Sequence, residues 1–541
     1  LSLPNCMRGQ TKKKLFDFTL LRRIFEYVRP YRFKFILCVA LAIFMAFITP
    51  VRPLLIQKTI DAATGKPVMV PGIFRIFTGD STSGTVLQFI IAVTVFQLVF
   101  IIIETIVRFL FTFSMAWLGQ QVVKDMRNAV FNKILHLNLK QFDNTPIGTL
   151  TTRTINDIEN INDIFSDGLV PIIADMLSII VVLATMFSTN WQLTLIALIP
   201  FPIMLIATYY FKESVNKSFI KVRNAVAALN AFVQEHITGM QVVQAFAAEE
   251  REFNKFNDIN RHHRNANIKS IFAYSVFFPI VEITLAVSSG LIVWWLAGMA
   301  GGNFAKGQDL AGQLVAFTLY LNQIFRPLRM IADKFNTLQM GMIAAERVLK
   351  VMDNPDITVS PKNAVSPAAI EGSIKFDHVW FAYNEENYVL KDISFEVTKG
   401  QTIALVGHTG SGKTSIISLL NRLYPIQKGS ILLDGTEIQK YDLDRLRQSI
   451  GVVLQDVFLF SGSVMDNITL HNPLILKAQV EEAAKLIGVH DFIMQLPGGY
   501  DYNVMERGAT LSLGQRQIIS FIRALLYNPS ILILDEATSS I

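Results

Sequence analysis

Residues 407–414 read GHTGSGKT, after the apolar run Ile403–Val406 and before the helix-forming run Ser415–Leu420. This is the complete G-x-x-x-x-G-K-[ST] pattern in the strand–loop–helix context that a phosphate-binding loop requires. The glycines let backbone N–H groups turn towards a β-phosphate, and the following helix adds the positive end of its dipole. A glycine-rich turn formed by chance, the alternative, leaves the flanking strand and helix unexplained. The loop therefore predicts a nucleotide site in an α/β domain.

Two side chains of this loop have distinct predicted roles. Lys413 is expected to reach the β- and γ-phosphates, and the Thr414 hydroxyl is expected to bind Mg²⁺. The other predicted nucleotide-binding residues of the loop are Gly407, Gly410, Ser411, Gly412 and Ser415.

A second part of the same site is predicted further along the chain. The apolar strand run Ile531–Leu534 ends in two carboxylates, Asp535 and Glu536. Asp535 is expected to hold Mg²⁺ through water, and Glu536 is expected to polarise the attacking water as the catalytic residue. Taken alone, the two carboxylates are also compatible with an acidic strand end that caps the next helix. Beside a phosphate loop, they predict Mg²⁺-dependent ATP hydrolysis.

The chain before about residue 335 is apolar enough for a membrane. Hydrophobic residues make up 51% of the whole sequence and charged residues 17%, whereas roughly 25% of residues are charged in soluble proteins. Apolar runs near 20 residues can cross a bilayer as helices. The predicted spans are residues 35–56, 86–113, 169–188, 191–211, 271–298 and 310–330.

Lysine and arginine predict the orientation of these spans. They crowd into residues 12–34 and are frequent in the long intervals 114–168 and 212–270, whereas 57–85 and 299–309 carry few. Basic residues favour the cytosolic side, so both termini and both long intervals are expected there. The net charge of +6 thus reflects topology and predicts no nucleic-acid partner. No cleavable signal peptide is apparent, and the basic N-terminus together with the lack of a transit-like segment favours a bacterial plasma (inner) membrane.

The organisation along the chain predicts a multi-domain membrane protein. Helical periodicity in both long intervals indicates helices that extend into the cytosol. Short strands such as Ile374–Phe376 and Ile393–Val397 indicate an α/β domain after a linker rich in Pro, Ser and Ala. The fold class is thus a six-helix all-α transmembrane domain with long cytosolic extensions, followed by an α/β P-loop domain. The predicted boundaries are an N-terminal segment 1–34, a transmembrane domain 35–335, a linker 336–372 and a nucleotide-binding domain 373–541.

Residues 511–515 read LSLGQ and resemble the LSGGQ signature of ATP-binding-cassette (ABC) proteins. Tyr383 matches the aromatic residue that stacks on adenine in that family. Gln455 matches the glutamine that contacts Mg²⁺ or the lytic water, and Glu506–Gly508 resembles the short exporter motif before the signature. With six spans ahead of these motifs, nearly the whole chain resembles a half-transporter of the B-type exporter group.

This resemblance implies ATP-driven export of a hydrophobic or amphipathic drug, lipid or peptide by a dimer. Two cassettes would meet head to tail, so that Ser512, Gly514 and Gln515 complete the γ-phosphate shell of the partner chain. Turning points near Gln141–Asp143 and Ala247–Glu249 are candidate coupling elements; plain surface turns are the alternative. The partner is a second copy or a different half-transporter. A non-hydrolysing or partner-dependent half, or an ATP-gated channel, is the alternative function.

Two departures from the family pattern stand out. Leu513 occupies the place of the first signature glycine, so we expect a working site with slower closure. The sequence stops soon after Glu536, where the family continues with the rest of the D-loop and a switch histidine. We therefore expect the cassette to be C-terminally incomplete.

Three carboxylates and one arginine inside the predicted spans stand out. Glu104 and Arg108 are four residues apart on one helix and are expected to pair, whereas Asp175 and Glu282 are isolated carboxylates. Such groups are costly in a bilayer and often functional. Contact with a polar part of the cargo, or with a proton, is one interpretation. Pairing between helices, or a place near the cytosolic edge, is the favoured one.

Overall fold

A computed structural model describes residues 18–64, 86–301, 304–384, 387–408 and 410–535. The chain divides into two compact units. The first contains residues up to 131 together with 151–352, and the second contains 132–150 together with the chain from 353 onwards. The basic residues 12–14, the loop 65–85 and Glu536 lie outside the described residues.

The described residues up to 352 are mostly helical. In order its helices are α1 (Phe18–Val28), α2 (Arg32–Ile48), α3 (Val51–Ala63), α4 (Val86–Leu135), α5 (Leu139–Asn144), α6 (Ile147–Thr154), α7 (Asn156–Asp163), α8 (Leu169–Thr189), α9 (Trp191–Ala197), α10 (Phe201–Thr238), α11 (Met240–Ala245), α12 (Glu249–Ala300) and α13 (Phe304–Met352). Short 3₁₀ and π turns, Arg29–Tyr31 and Ile164–Gly168, join α1 to α2 and α7 to α8.

Five helical stretches of the described chain are long and apolar enough to cross a membrane: 18–63, 90–135, 147–189, 191–238 and 249–300. They contain most or all of each of the first five predicted spans. The sixth span, 310–330, lies inside α13 and is not among these five, in keeping with its lower apolarity. α13 continues to Met352, through the first part of the predicted linker.

Aromatic side chains fill much of the core of the helical unit. Phe211 of α10 stacks on Phe277 of α12, with ring centroids 3.9 Å apart. Phe317 and Phe325 of α13 are fully buried in the same cluster. Asn190 alone separates α8 from α9, and it caps α9 by accepting a hydrogen bond from the Leu193 N–H at 3.1 Å.

The second unit is the predicted α/β domain. Its elements after residue 353 are β1 (Ile374–Ala382), β2 (Tyr388–Val397), α14 (Lys413–Leu420), β3 (Lys428–Leu433), β4 (Thr436–Glu437), α15 (Leu443–Gln448), β5 (Ile450–Val453), α16 (Val464–Thr469), α17 (Lys477–Leu486), α18 (His490–Gln495), α19 (Leu513–Leu526) and β6 (Ile531–Leu534). An antiparallel sheet has the order β2-β1-β3-β4, and β5 pairs in parallel with β6. Parallel neighbours carry their C-terminal loops to one sheet edge, which is where α/β proteins bind ligands.

The predicted strand Ile403–Val406 is wrong for this structure. Residues 401–408 carry no regular secondary structure, and Val406 is 90% exposed. A strand buried on both faces needs hydrogen-bonded neighbours, and no described strand pairs with this run. The helix predicted after the loop is confirmed as α14.

Candidate nucleotide site

The phosphate loop has the backbone geometry that its sequence predicts. Gly410 and Gly412 have φ values of 85° and 94°, a left-handed conformation that favours glycine. A Cβ at Gly412 would also lie 2.6 Å from Leu390 Cδ2. Gly412 directly precedes the first turn of α14, whose N–H groups are left without helical partners. The loop therefore presents backbone donors and a helix N-terminus to an anion.

Lys413 is folded over this loop. Its Nζ donates to the Gly407 carbonyl at 2.7 Å and lies 3.4 Å from the His408 carbonyl. Ser411 Oγ is buried and has no hydrogen-bond partner within the described residues. A buried hydroxyl without a partner is unfavourable, and a phosphate oxygen would satisfy it. The loop thus fits a bound nucleotide phosphate.

The two predicted parts of the site meet in the structure. Thr414 Oγ1 donates to Asp535 Oδ2 at 3.1 Å, although 121 residues separate them. Asp535 is buried, and its N–H donates to the Val453 carbonyl at 2.9 Å. A hydroxyl and a carboxylate side by side are hard oxygen ligands of the kind that Mg²⁺ prefers.

Gln455 follows β5 just as Asp535 follows β6. Because these two strands are parallel neighbours, both residues leave the sheet at the same edge. Gln455 is exposed there. Glu536, the predicted catalytic carboxylate, lies outside the described residues.

Tyr383 lies beside the phosphate loop. Its hydroxyl is 3.0 Å from Oγ of Ser415, which is buried at the third residue of α14. The Tyr383 ring meets the Tyr424 ring edge to face, with centroids 5.1 Å apart. The aromatic residue predicted to stack on adenine is therefore held close to the loop that is predicted to bind the phosphates.

The signature residues form the start of α19. Ser512 Oγ accepts a hydrogen bond from the Gln515 N–H at 3.3 Å, and the Ser512 N–H donates to Gln515 Oε1 at 2.8 Å. This reciprocal pair is a capping box. Leu513 begins the helix and is 42% exposed, so its bulk leaves the box intact. Gly514 follows within the first turn, and the contact of these residues with a partner's nucleotide stays a prediction.

The contact between Tyr424 and Asp143 was not predicted from the sequence. The segment 132–150, which contains α5, belongs to the second unit. The buried Tyr424 hydroxyl donates to Asp143 Oδ2 at 2.6 Å. Burial, helped by this carboxylate, raises the pKa of Tyr424. The predicted turning point at Gln141–Asp143 was the sequence signal for this segment, and nothing around Tyr424 marks it as the residue that Asp143 would meet.

Backbone contacts hold the same segment. The Asn138 N–H donates to the Asp356 carbonyl at 3.1 Å, and the Thr358 N–H donates to the His136 carbonyl at 3.0 Å. Asn354 Nδ2 donates to Gln141 Oε1 at 2.9 Å. The first candidate coupling element is thus attached to the α/β unit by several independent hydrogen bonds.

The second turning point has a different character. Ala247, between α11 and α12, has a φ of 44°, a strained conformation for alanine. Phe246 beside it is 79% exposed. The predicted turn is confirmed, and its coupling role stays a prediction.

Glu104, Arg108, Asp175 and Glu282 are each paired with a residue of opposite charge, as favoured. Arg108 Nη2 donates to Glu104 Oε1 at 2.7 Å within α4. Lys334 of α13 lies 2.5 Å from Asp175 of α8, and Arg329 of α13 lies 2.6 Å from Glu282 of α12. The two isolated carboxylates are therefore neutralised by cations that α13 supplies from far along the chain. We expect these pairs to hold helices together, since an unpaired charge there is costly.

A phosphate loop with its matching acidic strand, joined in one chain to apolar spanning helices, defines an ATP-driven membrane transporter. The family model of the ABC transporter transmembrane region matches residues 35–328, and that of the ABC transporter matches residues 390–539. The chain belongs to the ABC transporter family, as a half-transporter that couples ATP hydrolysis to export across a membrane.

Several bacterial proteins are similar to it along most of their length. The putative multidrug export ATP-binding/permease protein YgaD of Bacillus subtilis is 34% identical over 523 residues, which cover 96% of this chain and 87% of the relative. The putative ABC transporter ATP-binding protein exp8 of Streptococcus pneumoniae is 34% identical, with 97% and 86% covered. The uncharacterized ABC transporter ATP-binding protein YknV of B. subtilis is 36% identical, with 78% and 70% covered.

Proposed function

We propose that two copies of this half-transporter, or one copy and a related half, bind two ATP molecules between their cassettes. In each site Lys413 and the loop N–H groups hold the phosphates, and Tyr383 stacks on adenine. Ser512 and Gly514 of the partner chain approach the γ-phosphate. The 3.1 Å contact between Thr414 and Asp535 is the observation that carries this proposal, because it unites the two parts of an ATPase site.

Mg²⁺ fits the oxygen ligands of this site. Thr414, Asp535 and Gln455 would hold the ion, and the ion would neutralise charge on the β- and γ-phosphate oxygens. Lys413 exchanges its bond to the Gly407 carbonyl for phosphate oxygens. Glu536 orients and polarises the attacking water. Gln515 contributes to the partner's site through the part of its side chain that the capping box leaves available.

ATP binding closes the cassettes and hydrolysis releases them, a two-state change that the ligand biases. Gln141–Asp143 and Ala247–Glu249 transmit this change to the spans. The bonds of Asp143 and Gln141 within the α/β unit support this role for the first element. The termini and cassettes face the cytosol of a bacterium, and the protein lies in its plasma membrane.

The cargo is proposed to be a hydrophobic or amphipathic compound: a drug, a lipid or a peptide. The multidrug export named for YgaD favours a drug. A partner-dependent or non-hydrolysing half is the second candidate, and the exposed Leu513 in the signature is the feature that favours it.

The test is Mg²⁺-dependent ATP hydrolysis by the purified protein in lipid nanodiscs. Glu536→Gln is compared with Glu482→Gln, which neutralises an exposed carboxylate on α17. We expect wild type and the Glu482 variant to hydrolyse ATP, and Glu536→Gln to lose about 100-fold or more, the contribution of a positioned general base. Chelation of Mg²⁺ should abolish turnover.

Binding of a fluorescent ATP analogue separates the alternatives. Tight binding without hydrolysis in wild type would overturn the self-sufficient ATPase and support the partner-dependent half. Hydrolysis that survives in Glu536→Gln would refute the role given to that carboxylate. Loss of binding in Lys413→Ala is expected in either case.

A further inference from the structure

We propose that the start of α2, the first membrane helix, binds an anionic phospholipid from the membrane leaflet on the α1 side. The site consists of Arg29 and Arg32, which would bind the headgroup phosphate, and the exposed apolar side chains of α2 that follow, which would lie along an acyl chain. Its residues all belong to the helical unit.

Aromatic residues mark the level of the membrane–water interface at this site. Trp117 of α4 meets the Tyr31 ring edge to face, with centroids 5.9 Å apart, and Lys34 Nζ lies 3.2 Å from the Trp117 ring centroid. Trp and Tyr prefer the interface, where a ring meets hydrocarbon and its polar end meets water. The Tyr31 hydroxyl donates to Asp125 at 2.8 Å, which points it to the polar side.

Apolar and charged side chains separate at the same level. On α4, exposed Phe109 and Phe113 stack at 5.8 Å on one side of Trp117, and exposed Lys124 follows on the other. On α2, Phe33 is 82% exposed. A large exposed apolar side chain, Phe33, thus follows exposed Arg32 in the sequence. A lipid, with its charged headgroup and apolar chain, is complementary to this arrangement.

The guanidinium groups of Arg29 and Arg32 are available to such a head. Both residues are exposed, and neither has an ion-pair partner in the part of the chain that the structure describes. Glu26 of α1 is exposed, and Asp125 accepts the hydrogen bond from Tyr31. Each arginine beside an anionic bilayer strengthens attraction about fivefold.

This lipid would also support α1. Leu21, Ile24 and Val28 are buried, so one face of α1 packs on the protein. The Tyr27 hydroxyl lies 3.5 Å from the sulfur of Met352, the last residue of α13. A headgroup held at Arg29, one residue beyond α1, would keep this helix against the end of α13.

The experiment measures lipid retained by the full chain, and it requires no ATP hydrolysis, so its result is independent of the proposed function. The protein is reconstituted with equimolar phosphatidylglycerol and phosphatidylcholine and is then partly delipidated in detergent. Native mass spectrometry measures how much of each lipid remains bound. We expect wild type to retain phosphatidylglycerol preferentially. R29Q/R32Q should lower this preference about 25-fold, the product of two fivefold factors.

Two variants make the result specific. R29K/R32K keeps both charges and should keep most of the preference, which also shows that the site still folds. K217Q/K221Q removes two exposed charges from α10 and should behave as wild type. Equal retention by wild type and R29Q/R32Q, or an equal loss in K217Q/K221Q, would overturn the proposal. Displacement of the lipid by millimolar inorganic phosphate would also overturn the proposal, because it would mean that the site binds a phosphate group without needing the acyl chain.

Discussion

Replacing Tyr424 by Phe should weaken the attachment of the segment 132–150 to the rest of the α/β unit. The change removes the 2.6 Å hydrogen bond to Asp143 and keeps the ring against Tyr383 and Phe381. A hydrogen bond to a charged group stabilises by about 1.5–3 kcal/mol, and because Asp143 is exposed, water replaces part of it. We therefore expect a loss of about 1.5 kcal/mol in the attachment of this segment.

Hydrogen exchange read by mass spectrometry measures that attachment directly. A loss of this size speeds exchange of the α5 amides about tenfold where they exchange through local opening. The control is Tyr441→Phe, which removes a bond of similar length from the buried Tyr441 hydroxyl to the Leu433 carbonyl, away from this segment. Adding Asp143→Asn to Tyr424→Phe should change little beyond Tyr424→Phe alone, because the hydrogen bond is already absent. Unchanged exchange in 132–150 for Tyr424→Phe, or the same increase for Tyr441→Phe, would refute the reasoning.

Two further perturbations follow from charged groups of the helical unit. Asp175→Asn or Lys334→Gln leaves one charge of a 2.5 Å pair without a partner, so each should lower the free energy of unfolding by about 3 kcal/mol and with it the thermal midpoint. The swapped variant D175K/K334D should restore much of this loss, and equal midpoints for the single and swapped variants would contradict the prediction. Hydrogen bonds to the Phe232 carbonyl and to Glu252 raise the pKa of His236, so its charged form stabilises the start of α12 below the ordinary histidine pKa. That contribution is lost as pH rises through the raised pKa. Amide hydrogen exchange near residues 246–249 should then increase by more than the intrinsic pH dependence of exchange in wild type, but not in His236→Gln.

The chemistry of the nucleotide site was predictable because its residues lie in short sequence motifs. Glycines at positions that require a positive φ, a lysine and a hydroxyl at the helix start, and a carboxylate after an apolar strand each have a local physical cause. The structure brings Thr414 and Asp535 together as those causes imply. The strand Ile403–Val406 failed because a strand exists only through hydrogen bonds to neighbours, and these are not properties of the run itself.

The helices of the membrane unit were predictable from length and apolarity, but the partners of their charges were not. Asp175 and Lys334 are 159 residues apart, and no local pattern relates them. The same holds for Tyr424 and Asp143, which are 281 residues apart. Contacts of this kind depend on which helix faces meet, and many sequences with the same periodicity would place other residues there.

Local residue types and run lengths were enough to predict an ATP site and membrane-spanning helices, since phosphate binding and bilayer crossing depend on little else. The folded chain was needed to show that the first candidate coupling element is bonded within the α/β unit and that the carboxylates of the predicted spans are paired. It was also needed to place Lys34 and Tyr31 of the first helices against Trp117 of α4. Each of these is a distance between groups far apart along the chain, and such distances are set only when helices and strands pack against one another.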